Sequence, residues 1–206
     1  MSGLTFILLT FLTFYLIWSF YYGYRKNVKL AREISKIFEN FFDPIDKTYT
    51  WLGGAIGFRA IYRVKDKFIK QILLNLRLQP RQSVLYFILK LIILRGIKDN
   101  IQLLFYLNKK INYEFHAIKE KYNPKIFSTN LKEEKNEKYR FLYSSNYPKI
   151  LKELSIDILE ATPIKHIAIT PDRKVVYFDL DFKKIEDIKN TLEKIKVFLE
   201  KLKIKV

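Results

Sequence analysis

The chain has 206 residues, no cysteine and only two histidines. That excludes a disulfide framework, a thiol nucleophile and thiolate metal ligands. The net charge of +17 raises nucleic-acid binding, but the lysines are spread along the chain rather than grouped with stacking aromatics.

The first 22 residues carry no charged side chain. Leu4 to Tyr22 reads LTFILLTFLTFYLIWSFYY. As a helix, this run covers roughly 28 Å, close to the hydrocarbon thickness of a bilayer. Trp18, Tyr21 and Tyr22 stand at its exit, where amphipathic rings favour the headgroup level. A cleaved secretory signal would have a basic start, a shorter apolar run and small residues at the cut site. Bulky rings fill that place here, so the run is expected to be an uncleaved anchor. Arg25, Lys26, Lys29 and Arg32 follow at once. Positive flanks stay cytoplasmic, which predicts the N-terminus outside and everything from about residue 24 inside the cell. The absence of any Asn-x-Ser/Thr sequon agrees.

Residues 24–42 repeat apolar side chains at steps of three and four and should continue the helix up to Asp43-Pro44. Phe58, Ala60, Tyr62 and Val64, with Ile56 before them, then alternate with Arg59 and Arg63. Ile72, Leu74, Leu76 and Leu78 alternate after a Lys65-Asp66-Lys67 turn, which predicts an antiparallel hairpin. A second hairpin is expected from Ile101–Leu107 and Ile111–Ala117 about Asn108-Lys109-Lys110. Between the hairpins, Val84–Leu94 (VLYFILKLIIL) is too short to span a membrane. It reads as a core helix, a buried strand or a segment dipping into the membrane interface. Residues 119–138 are polar and weakly periodic, as a loop or linker would be. The rest reads β-α-β-β-α, with a helix start at Ser145-Asn146-Tyr147-Pro148 and a hairpin about Thr170–Lys174.

The expected organisation is therefore α+β. A transmembrane anchor (1–23) leads into a juxtamembrane helix (24–42), an antiparallel β part (43–118), a linker (119–138) and a β-α-β-β-α part (139–206).

Chemistry is hard to find. Gly53-Gly54 and Gly57 precede a strand without a following Lys-Ser/Thr, so they read as a turn and not as a phosphate loop. His116 shares a strand face with Glu114 and Asn112, but metal-type spacing is missing and an exposed polar face is expected. His166 is expected on one face with Ile164 and Ala168, partly buried. Asp179 and Asp181 share a face opposite Phe178, Leu180 and Phe182 and are expected to look outward. No catalytic, cofactor or metal residue is assigned. Arg81, Lys90, Leu91 and Arg95 are singled out for contact with the membrane surface, because an anionic leaflet attracts each nearby Lys or Arg by about 1 kcal/mol.

Three stretches carry a family resemblance. They are Asp46-Lys47-Thr48-Tyr49-Thr50-Trp51-Leu52-Gly53-Gly54, then Ile56-Gly57-Phe58-Arg59-Ala60-Ile61-Tyr62, and Leu78-Gln79-Pro80-Arg81-Gln82-Ser83-Val84-Leu85-Tyr86. In these the chain resembles a family of uncharacterised archaeal single-pass membrane proteins. The resemblance implies one anchor plus one domain and transfers no catalytic residue. The expected role is a membrane-anchored, cytoplasmic-facing binding or scaffold protein, with the lipid bilayer and a protein as partners. The alternatives are an enzyme acting on a membrane-linked substrate, or nucleic-acid binding through the basic domain.

Overall fold

The computed structural model describes residues 3–86, 98–124, 131–144 and 147–205. In chain order the elements are α1 (Gly3–Phe42), β1 (Asp46–Trp51), β2 (Gly57–Arg63), β3 (Ile69–Arg77), β4 (Asp99–Leu107), β5 (Phe115–Lys119), β6 (Lys132–Lys135), β7 (Tyr139–Tyr143), α2 (Ile150–Ala161), β8 (Ile164–Thr170), β9 (Val175–Phe182) and α3 (Ile185–Lys205). The fold is α+β: one long apolar N-terminal helix, then a nine-stranded antiparallel sheet and C-terminal helices. The strand order is β1-β2-β3-β4-β9-β8-β5-β7-β6.

Alternation decides which side chains meet the helices. Phe58, Ala60 and Tyr62 of β2 point to one face, as do Ile72, Leu74 and Leu76 of β3 and Ile101, Leu103 and Phe105 of β4. Val176, Phe178 and Leu180 of β9 continue this face, and all of these residues are buried. The second half of α1 covers the face with Ala31, Ile34 and Phe38. Ile188, Leu192, Ile195, Phe198 and Leu202 of α3 and Leu151, Ile158 and Leu159 of α2 complete the layer. Of the apolar repeat expected over 24–42, Ile34 and Phe38 enter the core, whereas Leu30, Ile37, Phe41 and Phe42 pack partly buried against its edge. Ile56 departs from its expected face. Gly57 turns the chain at φ 140°, where a Cβ would overlap the Leu76 carbonyl, and Ile56 stays outside the strand and exposed.

The first predicted hairpin is present, with Phe58 opposite Leu76 and Tyr62 opposite Ile72. The second is not. β4 pairs with β3 and β9, whereas β5 pairs with β7 and β8. The β8–β9 hairpin inserts between the two strands expected to be partners. Residues 108–114 therefore form a crossing and not a tight turn, tied by the Asn108 amide to the Phe68 carbonyl at 2.9 Å. β9 offers β4 an eight-residue register in which Phe178 meets Leu103 and Leu180 meets Ile101. β1 and β6 are edge strands with no buried residue, and neither carries the apolar alternation that marks the others. α2 begins after Lys149, which makes no side-chain cap, and the cap expected at Ser145 or Asn146 lies outside the described residues.

α1 is continuous from the apolar run into the core. Its residues 3–22 are almost all exposed, and it is the one described helix long and apolar enough to cross a membrane. The helix meets the sheet at a tight joint. Gly23 lies so close to the Arg81 backbone that a Cβ there would overlap it. Asn27 is fully buried, donates to the Gln79 carbonyl at 2.8 Å and accepts from Arg81 Nη1 at 2.9 Å. The same Arg81 pairs with the buried Asp99, whose Oδ1 also accepts the Gln79 amide at 2.8 Å. At its other end α1 is held by Glu39, which accepts from Lys47 and the Tyr49 hydroxyl. α1 therefore lies along the sheet and leaves it at the end formed by the β1–β2 turn, the end of β3 and the start of β4.

Candidate functional site

The sheet face away from the helices carries the polar chemistry of the protein. Glu114, just before β5, and His116 and Ile118 of β5 point to it, as do His166 and Ala168 of β8, Tyr177 and Asp179 of β9, and Leu104 and Tyr106 of β4. Cross-strand register brings them together: His166 faces Asp179, Ala168 faces Tyr177, and His116 faces Ala168. A β-bulge in β8 makes this possible. Ile164 pairs with Leu180 and His166 with Asp179, so Lys165 is an extra residue. The bulge reverses the alternation. Ile164 enters the helix-covered core, and His166 and Lys165 reach the opposite face, correcting the expectation that Ile164 and His166 share one.

Asp179 is the hub of one half of the cluster. It is 1% exposed, so it does not look outward as expected from the sequence. Its Oδ2 accepts from the Tyr122 hydroxyl at 2.9 Å and the Tyr177 hydroxyl at 3.1 Å. Its Oδ1 accepts from Asn100 at 2.6 Å and lies 3.2 Å from Lys165 Nζ. Lys165 also reaches Asp181 at 2.8 Å and sits 4.7 Å from the Tyr122 ring centre. Burial, reinforced by the Asp179 charge, pushes the hydroxyls of Tyr122 and Tyr177 well above their ordinary value.

The other half is a row of three side chains. Glu114 Oε1 lies 2.9 Å from His116 Nε2, and His116 Nδ1 lies 3.2 Å from His166 Nε2. Both histidines are buried, at 4% and 5% exposure, so His116 does not sit on an exposed face. Neighbouring strands flank it, and the chain carrying Tyr122 and Pro124 comes back over this face. Burial lowers the His166 pKa to about 3, helped by His116, Arg140 and Lys165. Burial also lowers that of His116, against the opposing pull of Glu114. Both rings are neutral at pH 7.

Over this row lies a pocket of about 560 Å³. Leu104, Tyr106, Ala168 and Val175 supply apolar walls, the histidines line it, and Asp172 and Arg173 stand at the β8–β9 turn. Pocket volumes of this size suit small organic ligands. Among the described residues no group of three or more His, Asp or Glu side chains is placed to hold a metal ion.

Of the residues singled out for membrane contact, Arg81 is turned into the joint with Asn27 and Asp99, with 17% of its side chain exposed. Lys90, Leu91 and Arg95 lie outside the described residues, as does most of Val84–Leu94. A groove of about 760 Å³ occupies the end of the sheet where α1 leaves, with Lys98, Lys119, Lys121 and Lys183 along it. The sequence reading missed the convergence of His116, His166, Tyr122 and Asp179. Its one trace is that both histidines fall within predicted strands. No family model and no curated protein matches the sequence.

Proposed function

We propose that the protein is a single-pass membrane protein, N-terminus outside and sheet domain in the cytoplasm, serving as a tethered binding or scaffold module. The observation that carries this reading is the continuity of α1. One unbroken helix is bare and apolar over residues 3–22 and then buried in the core at Ala31, Ile34 and Phe38. An apolar surface of that length has no stable place in water. The joint at Gly23, Asn27 and Arg81 fixes the domain directly beneath it. The end of the sheet facing the bilayer would then be the one that exposes Trp51, Leu52 and Leu85 beside Lys98, Lys121 and Lys183. Aromatic, apolar and basic side chains are what an anionic headgroup layer favours. The resemblance to archaeal single-pass membrane proteins belongs to the same proposal.

The chain has no cysteine, so single thiols can be placed at Ser2 and at Lys109 in the β4–β5 crossing. An impermeant thiol reagent on intact cells should label the first and spare the second. Labelling at 109 and not at 2 would reverse the orientation, and a soluble mature chain lacking residues 1–22 would make the run a signal sequence.

A second reading, an enzyme, is favoured by one observation: a concave pocket whose floor holds a carboxylate and two neutral imidazoles in a hydrogen-bonded row. Nucleic-acid binding would show affinity falling steeply with salt.

A further inference from the structure

The floor of the back-face pocket has a hydrogen-bonding polarity set by its own residues. We propose that this pocket binds a small, uncharged, largely apolar molecule through a hydroxyl or N–H group donated to Nδ1 of His166. The polarity follows in three steps. A carboxylate only accepts, so the His116 nitrogen facing Glu114, Nε2, carries the hydrogen. A neutral imidazole has one N–H, so His116 Nδ1 is a lone pair and must accept from His166 Nε2. His166 has then spent its only hydrogen, and its Nδ1 is a lone pair. Among the described residues that nitrogen has no hydrogen-bond partner, although His166 is 5% exposed and lines the pocket.

The two tyrosines beside His166 add no donor to the floor. The hydroxyl hydrogens of Tyr122 and Tyr177 are both committed to Asp179. The floor therefore offers acceptors next to the Glu114 carboxylate and disfavours an anion, whereas the donors of the pocket, the Tyr106 hydroxyl and the Arg173 guanidinium, stand on its wall and at the β8–β9 turn. Arg140 and Lys165 act on His166 as positive charges and oppose a cation there. The walls of Leu104, Tyr106, Ala168 and Val175 call for an apolar body. Asp172 and Arg173 lie at the turn joining β8 to β9, at the end of the sheet remote from the exit of α1. The occupant thus arrives from the aqueous side, and this inference stands whether or not α1 spans a membrane.

The test uses the full chain in lipid nanodiscs with ¹⁵N-labelled histidine, where only two residues report. At pH 7 both rings should show the neutral tautomer with hydrogen on Nε2, and His166→Phe assigns the pair. The probes are 4-methylphenol and its methyl ether, 4-methylanisole. The phenol should shift the His166 Nδ1 resonance saturably. The ether, lacking the donor, should bind about fivefold more weakly and leave that resonance in place. His166→Phe should abolish the preference while the folded spectrum persists. An Nδ1–H tautomer at His166, equal affinity for phenol and ether, no saturable shift, or tighter binding of 4-methylbenzoate or 4-methylbenzylamine would each overturn the proposal.

Discussion

The two faces of the nine-stranded sheet are built from alternate residues of the same strands, yet they obey different rules. The face under α1, α2 and α3 is an unbroken apolar layer, in which Phe105, Phe178 and Phe198 meet edge to face. The opposite face buries an aspartate that accepts from two half-buried tyrosines and, against their rings, a hydrogen-bonded row of a glutamate and two histidines. Dispersion and water exclusion tolerate many arrangements of the first kind. Buried polar groups are more exacting, because each one left without a partner carries a desolvation cost. The covered face accounts for the stability of the domain, and the open face carries its chemistry.

The sharpest way to test that division is to open a hole in the covered face. Phe178 is fully buried between Phe105 and Phe198. Phe178→Ala should cost about 3–5 kcal/mol, measured by denaturant unfolding of the full chain in detergent. A loss under about 1 kcal/mol would show that the layer is not close-packed. Next in size is the joint at the end of the sheet. Arg81→Ala leaves Asp99, with 6% of its side chain exposed, as a buried carboxylate without its cation. The expected loss is about 3 kcal/mol, with limited proteolysis between α1 and β3 rising in parallel.

The covered face was legible in the sequence for the same reason that it is robust. Period two in β2 and β3, and the three-and-four spacing of Ile188, Leu192, Ile195 and Phe198, repeat over enough residues to identify which side faces inward. The open face could not be read that way. One extra residue at Lys165 reverses the alternation of β8, and no propensity marks a bulge there. The partners of β5 also come from β8 and β7, distant in sequence, because the β8–β9 hairpin displaces the local pairing that residues 101–117 suggest. His116 and His166 are 50 residues apart, and only the sheet order brings them together. β1 carries no such signal, because DKTYTW has no aliphatic residue and all six of its residues are exposed, although Tyr49 and Trp51 lay their rings against Phe58.

Proton uptake also separates the faces. An unfolded histidine titrates near 6.5, whereas folded His166 resists protonation until about pH 3. Between those values the unfolded chain holds a proton that the folded chain lacks, so stability falls as pH drops. The slope from His166 is about 1.4 kcal/mol per pH unit, and His116 is displaced in the same direction. Glu39 is held below the ordinary carboxylate range by Lys47 and Tyr49, so its loss begins only at lower pH. The comparison is therefore made from pH 6.5 down to 5. Unfolding midpoints of the native chain should fall steadily there, and those of His166→Phe should fall less. Equal slopes would mean that His166 is solvated and that the network is open to water.

The smallest effect tests whether the network acts as a unit. Asp179 Oδ2 accepts two hydroxyls, one from Tyr177 on its own strand and one from Tyr122 on the chain crossing the face. Tyr177→Phe removes one donor and leaves the other, along with Asn100 and Lys165 on Oδ1. A buried carboxylate that keeps three of four partners should lose only about 1 kcal/mol. Tyr122→Phe alone should cost a similar amount, because Tyr177 then remains. Removing both strips Oδ2 of every hydroxyl donor it has, in a site with 1% exposure. The double variant should therefore lose more than the sum of the singles, with a coupling of roughly 0.5–3 kcal/mol. A purely additive cycle would show that water replaces the missing hydroxyls, and that the open face is wet where its geometry implies it is closed.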